Sequence, residues 1–121
     1  MKVDFKFFNR GGGNSIEAAT AKELIDNGDL VVVDVREPHE FHGGHIEKSI
    51  HIPLANLEKS LHLLPKDVHL LVVCRSGMRS LKACTVLSKH GHNVSNLKGG
   101  LIAWINRGFS LSGGWEVIGK E

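Results

Sequence analysis

Cys74 is the residue of this chain whose neighbours are best placed to do chemistry. It ends the apolar run Leu70-Leu71-Val72-Val73 and opens the stretch Arg75, Ser76, Gly77, Met78, Arg79, Ser80, after which a helical pattern begins. A free cysteine is mostly protonated at neutral pH, with a pKa of about 8.5, and it is the thiolate that attacks. A helix starting just after the loop aims unpaired amides and the positive end of its dipole at the sulfur. Successive amides from Arg75 to Ser80 can form a concave nest, and Gly77 allows the turn a conformation that side chains resist. Arg75 and Arg79 add positive charge at the rim. Each contribution favours the thiolate and would hold an anion attached to it.

Two other roles for this thiol compete. Free cysteine is among the most buried residue types and often serves as a small apolar side chain. A strand-end cysteine with ordinary neighbours would be read that way; one followed by two arginines, a glycine and a helix is read as a nucleophile. Metal ligation is the weakest reading, since no second cysteine stands at zinc-like spacing. Cys84, within a helical stretch beside Ala83 and Leu87, is read as packing. Ten helical residues would separate the two thiols by roughly 15 Å, and a disulfide needs Cα atoms within about 7 Å, so both are expected to be free.

The elements that must position Cys74 follow from periodicity and punctuation. Leu30–Val35 is a β-branched run and Val68–Val73 a second, mostly apolar one, the pattern of strands buried on both faces. Shorter strands are expected at 49–53, which closes on Pro53, and within 93–100. Thr20 and Glu23 form a capping-box pair for a helix that stops at Gly28. Pro38 opens a short helical piece. Leucines at helical spacing over 54–64 predict a helix ending before Pro65. Further helices are expected at 79–91 and 101–108, each stopped by a glycine. Residues 1–14 alternate polar and apolar from Lys2 to Phe7, which suggests an accessory strand. The alternation of strands and helices makes this an α/β domain with a mainly parallel sheet. Such sheets bind ligands at the carboxyl ends of their strands, where Asp34, Arg36 and Glu37 on one run and Cys74 on another would share a rim.

Composition excludes several classes. At 121 residues, 41% hydrophobic and 23% charged, the chain is one ordinary globular domain. A net charge of +2 without a basic run offers nothing to nucleic acid. No apolar stretch reaches membrane-spanning length, and the opening residues carry charges where a signal peptide has its apolar segment, so a cytoplasmic location is expected. His39, His42 and His45 recur every third residue, but Gly43 and Gly44 break the segment and no acidic or cysteine partner joins them, so they are read as surface histidines and no metal is expected.

With these motifs assembled, the chain resembles a single-domain rhodanese, a sulfurtransferase module. The resemblance runs from about Ile16 to Phe109 through "VVDVREPHEF", "GHIEKSIHIP", "CRSGMRS" and "NLKGGLIAW" followed by "NRGF". It implies a three-layer α/β domain over 15–110, with a mainly parallel sheet of about five strands flanked by helices, an N-terminal arm at 1–14 and a tail at 111–121. It also implies that Cys74 takes a sulfane sulfur as a persulfide cradled by the loop from Arg75 to Ser80 and passes it to a thiophile. Thiosulfate, glutathione persulfide or a protein persulfide would donate, a thiol or protein would accept, and no cofactor is required. Asp34 is expected as a buried acceptor bracing the loops, Arg36 and Glu37 as an ion pair at the rim, and His45 as a loop-bracing imidazole. Gly99 and Gly100 are expected to turn the chain into the last helix, and Trp104 to pack that helix to the sheet.

Two rivals share the resemblance. Related phosphatases and arsenate reductases keep the cysteine and an arginine but use a loop one residue longer, with room for a tetrahedral oxyanion. Here four residues separate Cys74 from Arg79, and Ser80 stands where the longer loop would place its arginine. Non-catalytic regulatory modules of this kind commonly lack the cysteine, which this chain has.

Overall fold

A computed structural model describes residues 14–113. Five parallel strands form one sheet: β1 (Ser15–Ile16), β2 (Val31–Asp34), β3 (Ile50–His51), β4 (His69–Val73) and β5 (Asn93–Leu97), in spatial order β1-β5-β4-β2-β3. The helices are α1 (Ala18–Asp26), α2 (Pro38–His42), α3 (Met78–Lys89) and α4 (Gly100–Asn106). Parallel pairing puts the carboxyl ends of β2, β4 and β5 on one rim, where the ligand site of an open α/β sheet belongs.

The β-branched runs form central strands because alternate side chains can be buried on opposite faces. Val32, Leu71, Val73 and Leu97 face one layer with α1 and α4, joined by Ala21, Leu24, Leu101 and Trp104. Val33, Leu70, Val72 and Val94 face the other with α3, joined by Ala83, Cys84 and Leu87. All five residues of β4 are buried, so the strand that delivers Cys74 is the best anchored in the sheet. Two apolar layers on one sheet make the expected three-layer α/β architecture.

Several local expectations change. Helix α1 begins at Ala18 with Glu17 as its N-cap residue, so Thr20 lies inside the helix and does not cap it. The cause is packing: Ala18, Ala21 and Leu24, at spacings of three, all face the core, which extends the helix one turn ahead of the Thr20–Glu23 pair. The leucines of 54–64 form tight 3₁₀ turns at Leu54–Asn56 and Glu58–Leu63 instead of an α-helix. Leu57 and Leu64 are buried, and bonds such as Leu57 N to Leu54 O (3.2 Å) and Leu64 N to Leu61 O (3.1 Å) follow the three-residue period of these leucines. The predicted strand within residues 1–13 lies outside the described residues. At the other end Leu111 packs on the core and Ser112 pairs with His45, so structured contacts continue past residue 110.

Candidate active site

Cys74 follows the last residue of β4 and is 1% exposed, at the floor of a turn that leads into α3. Gly77, with φ of +101°, makes that turn possible. The chain then curls back on the sulfur. Gly77 N donates to Cys74 Sγ at 3.1 Å, Ser80 N at 3.3 Å and Ser80 Oγ at 3.3 Å. Burial pushes the thiol pKa up, but the Ser80 hydroxyl and the amides of Ser80, Gly77 and Ser76 outweigh it, and Cys74 is held below the ordinary thiol value. Amides and a hydroxyl, more than arginines, are the groups that favour the thiolate here.

The outer wall of this cradle is the start of α4. Leu101 N donates to Cys74 O at 2.9 Å and Ile102 N to Arg75 O at 3.1 Å. So close an approach requires glycine: a Cβ at Gly100 would sit 2.4 Å from Arg75 O, and Gly100 has φ of +61°. Gly99, at φ of +75°, carries the turn before it. The Gly99-Gly100 pair therefore positions the cradle as well as turning the chain. Trp104 is buried against the sheet, and its Nε1 donates to Ser110 O at 3.1 Å.

The other candidate residues distribute unequally. Met78, Arg75 and Ser76 are exposed on the rim. Arg79 is half-buried and makes a two-bond ion pair with Glu40, Nη1 to Oε1 at 2.7 Å and Nη2 to Oε2 at 2.8 Å. That pairing holds the Glu40 carboxyl down at about 2 and raises the arginine further. Glu40 escapes a sequence reading because it lies 39 residues from Arg79 and meets it only once α2 is placed beside the loop.

Asp34, fully buried, takes Arg36 N at 3.0 Å, Arg36 Nε at 3.0 Å and Arg36 Nη2 at 2.8 Å. The same guanidinium donates to Gly44 O at 2.7 Å and Glu40 O at 3.2 Å, tying the end of β2 to α2 and the turn after it. The expected Arg36–Glu37 pair is replaced by this one. Consecutive residues of extended chain point apart while alternate ones share a side, so Arg36 reaches Asp34. Glu37 instead caps α2 in a capping box with Glu40. His45 stacks on Phe41 with ring centroids 3.8 Å apart, and its Nδ1 lies 2.9 Å from Phe41 O. That carbonyl can only accept, which places a ring proton on Nδ1.

Asn96, on β5, is a site residue that sequence reasoning missed. Its Nδ2 donates to Gly77 O at 3.2 Å, and its Oδ1 accepts from the Ser80 hydroxyl. Nothing in "NVSNLKGG" distinguishes it from any polar strand residue. Cys84 is fully buried, and burial pushes its thiol up to about 12, so it stays protonated beside the apolar layer of α3.

The model of the rhodanese-like domain matches residues 17–107. The chain belongs to the rhodanese-like family. Among its relatives, a putative sulfurtransferase of Bacillus subtilis, YtwF, is 37% identical over 90 residues, covering 74% of this chain and 87% of the relative. A sulfurtransferase of Allochromatium vinosum is 35% identical over 100 residues, covering 81% and 94%. The solved structure of a rhodanese-related protein from Thermoplasma volcanium matches with a TM-score of 0.77 at 37% identity, covering 82% of this chain and 97% of that one. Rhodanese-fold proteins thus share both the three-layer architecture and the sequence pattern of this chain, and several carry the name sulfurtransferase.

Proposed function

We propose that this rhodanese-fold protein moves a sulfane sulfur from a small donor or a protein persulfide to a thiol or protein acceptor through a persulfide on Cys74. The observation that carries the reading is the set of donors converging on Sγ: Gly77 N, Ser80 N and Ser80 Oγ, all within 3.3 Å. These groups hold a sulfur anion without a metal or organic cofactor.

The reaction is a double displacement. The Cys74 thiolate attacks the outer sulfur of thiosulfate, a new S–S bond forms, and the S–S bond to the sulfonate breaks with its electron pair leaving on sulfite. Charge balances, because the thiolate and thiosulfate dianion become an enzyme persulfide anion and a sulfite dianion. An acceptor thiolate, or cyanide in an assay, then attacks the outer sulfur and returns Cys74 as thiolate. The four residues between Cys74 and Arg79 give a ring of amides that fits sulfur better than a tetrahedral oxyanion, which favours this chemistry over phosphoryl or arsenate chemistry.

The test is thiocyanate formation from thiosulfate and cyanide by the wild type, Cys74→Ser and Cys84→Ser, with a generic phosphatase assay alongside. Activity is expected in the wild type and Cys84→Ser and absent from Cys74→Ser. Activity surviving in Cys74→Ser, or phosphatase turnover without sulfur transfer, overturns the proposal. Mass spectrometry of the loaded protein should place one added sulfur, removable by reductant, on Cys74.

A further inference from the structure

The charge of the rim does not match what its two arginines suggest. Arg79 would be expected to draw an anionic donor toward Cys74, and its guanidinium is close enough to sense charge on that sulfur. Yet both of its outer nitrogens are committed to the two oxygens of Glu40, at 2.7 and 2.8 Å. Glu40 is itself fixed from behind: its Oε1 also accepts Glu37 N at 2.9 Å, inside the capping box of α2. The pair is therefore held from the α2 side and from the loop side at once. For an incoming anion, the carboxylate's repulsion offsets most of the guanidinium's attraction, and the attraction so lost is twice as large for a dianion as for a monoanion. Arg75, exposed on the rim, has no carboxylate within ion-pair distance among the described residues.

We propose that Glu40 tunes the donor class: by closing Arg79 into an ion pair it leaves Arg75 as the single unmatched rim arginine among the described residues, and so shifts the site away from the dianion thiosulfate toward sulfane donors of single net charge, thiosulfonates and persulfides of uncharged R groups. This rests on the sulfur-transfer reading above and narrows its substrate. With a thiosulfonate, R–SO₂–S⁻, the Cys74 thiolate takes the outer sulfur and the electron pair leaves on a sulfinate. With a persulfide, R–S–S⁻, the pair leaves on the thiolate R–S⁻. In each case two single negative charges enter and two leave.

Glu40→Gln isolates the effect. The glutamine carbonyl can still accept both bonds now made to Oε1, from Glu37 N and Arg79 Nη1, so the α2 cap and the loop contact are kept and one Arg79 bond is lost. Loading of Cys74 from thiosulfate and from methanethiosulfonate is measured as kcat/KM for the wild type and the variant, and the ratio of the two donors is compared. Comparing ratios cancels the donors' different leaving groups. The ratio of thiosulfate to thiosulfonate should rise at least fivefold in Glu40→Gln. An unchanged or lowered ratio, with both donors slowed alike, makes Glu40 only a brace for the loop and overturns the inference.

A second measurement does not depend on that variant. Arg75→Gln alters an exposed residue and should cut thiosulfate kcat/KM about tenfold, remove most of its salt dependence, and affect methanethiosulfonate much less. If thiosulfate use stays strongly salt-dependent in Arg75→Gln, Arg79 is drawing the donor after all and the inference fails. If neither donor loads Cys74 in the wild type, the sulfur-transfer reading fails with it, an outcome distinct from a donor ratio that does not move.

Discussion

Asn96 Nδ2 donates to Gly77 O at 3.2 Å, so a side chain of β5 holds the turn on which the Cys74 cradle is built. Its Oδ1 accepts from the Ser80 hydroxyl, which also lies 3.3 Å from Cys74 Sγ. One amide thus clamps both the turn and the hydroxyl that most favours the thiolate. The Ser80 hydroxyl has one proton and two acceptors, Asn96 and the thiolate, and it can serve the thiolate only while the loop keeps it in place.

Asn96→Ala is therefore expected to raise the apparent pKa of Cys74 and to lower stability by about 1–3 kcal/mol, the cost of stranding the buried Gly77 carbonyl. The pH profile of Cys74 alkylation, followed in a Cys84→Ser background, reads the first effect, and urea denaturation reads the second. An alkylation profile that coincides with that of the parent would remove Asn96 from the site.

The close approach of α4 to the loop makes Gly100 irreplaceable. Gly100→Ala would press a Cβ to 2.4 Å from Arg75 O at a backbone φ of +61°. Strain in that region and overpacking together cost about 2–5 kcal/mol. Gly91→Ala is the comparison, because φ there is +88° but nothing lies within 4 Å of the added methyl. It should cost only about 1–2 kcal/mol. Equal losses in the two variants, measured by urea denaturation, would mean that the contact with the loop contributes nothing beyond backbone strain.

The central strands and the Cys74 loop are legible in the sequence because their signals are local. A β-branched run buries itself on both faces, and a cysteine, a glycine and a helix start within a few residues can only form a turn over the sulfur. The partners of the charged side chains are not local. Arg79 takes Glu40 from a helix that the crossover brings alongside, and Arg36 takes Asp34 where adjacency had suggested Glu37. The start of α1 is misread for a related reason: Thr20 and Glu23 match a capping pattern, but burial of Ala18 outweighs it. Strand β1 has two residues, too few to show any period, and exists through its pairing with β5.

His69 gives the fold an acid-sensitive element away from the cysteine. It is buried in β4, with Nε2 2.7 Å from Ser95 Oγ, and burial lowers its pKa from 6.5 to about 4. The unfolded chain therefore takes up this proton first as the pH falls. The stabilisation is complete above pH 6.5 and is lost progressively down to about 4. It amounts to about 2–3 kcal/mol. Urea midpoints measured across this window should fall in the wild type and fall less in His69→Gln. Some slope should remain, since burial together with Lys66 and His90 also lowers His92. Identical slopes in the two proteins would assign the acid sensitivity elsewhere.

The replacement of the Arg36–Glu37 pair by Arg36–Asp34 can be read out in stability. Asp34 is fully buried and its oxygens accept the backbone amide and two side-chain nitrogens of Arg36. Asp34→Ala would leave a guanidinium of an almost fully buried arginine without its anion, a loss of about 3–5 kcal/mol. Glu37 is exposed and its side chain caps a five-residue helix, so Glu37→Ala should cost about 1 kcal/mol. Because Arg36 also holds Gly44 O and Glu40 O, the Asp34 variant should in addition loosen α2 and with it the Glu40 partner of Arg79. Faster amide exchange through 38–44 in Asp34→Ala, and not in Glu37→Gln, is the expected signature. If Glu37→Ala proved the more damaging of the two substitutions, the rim would depend on Glu37 and the pairing described for Arg36 would not be what holds it.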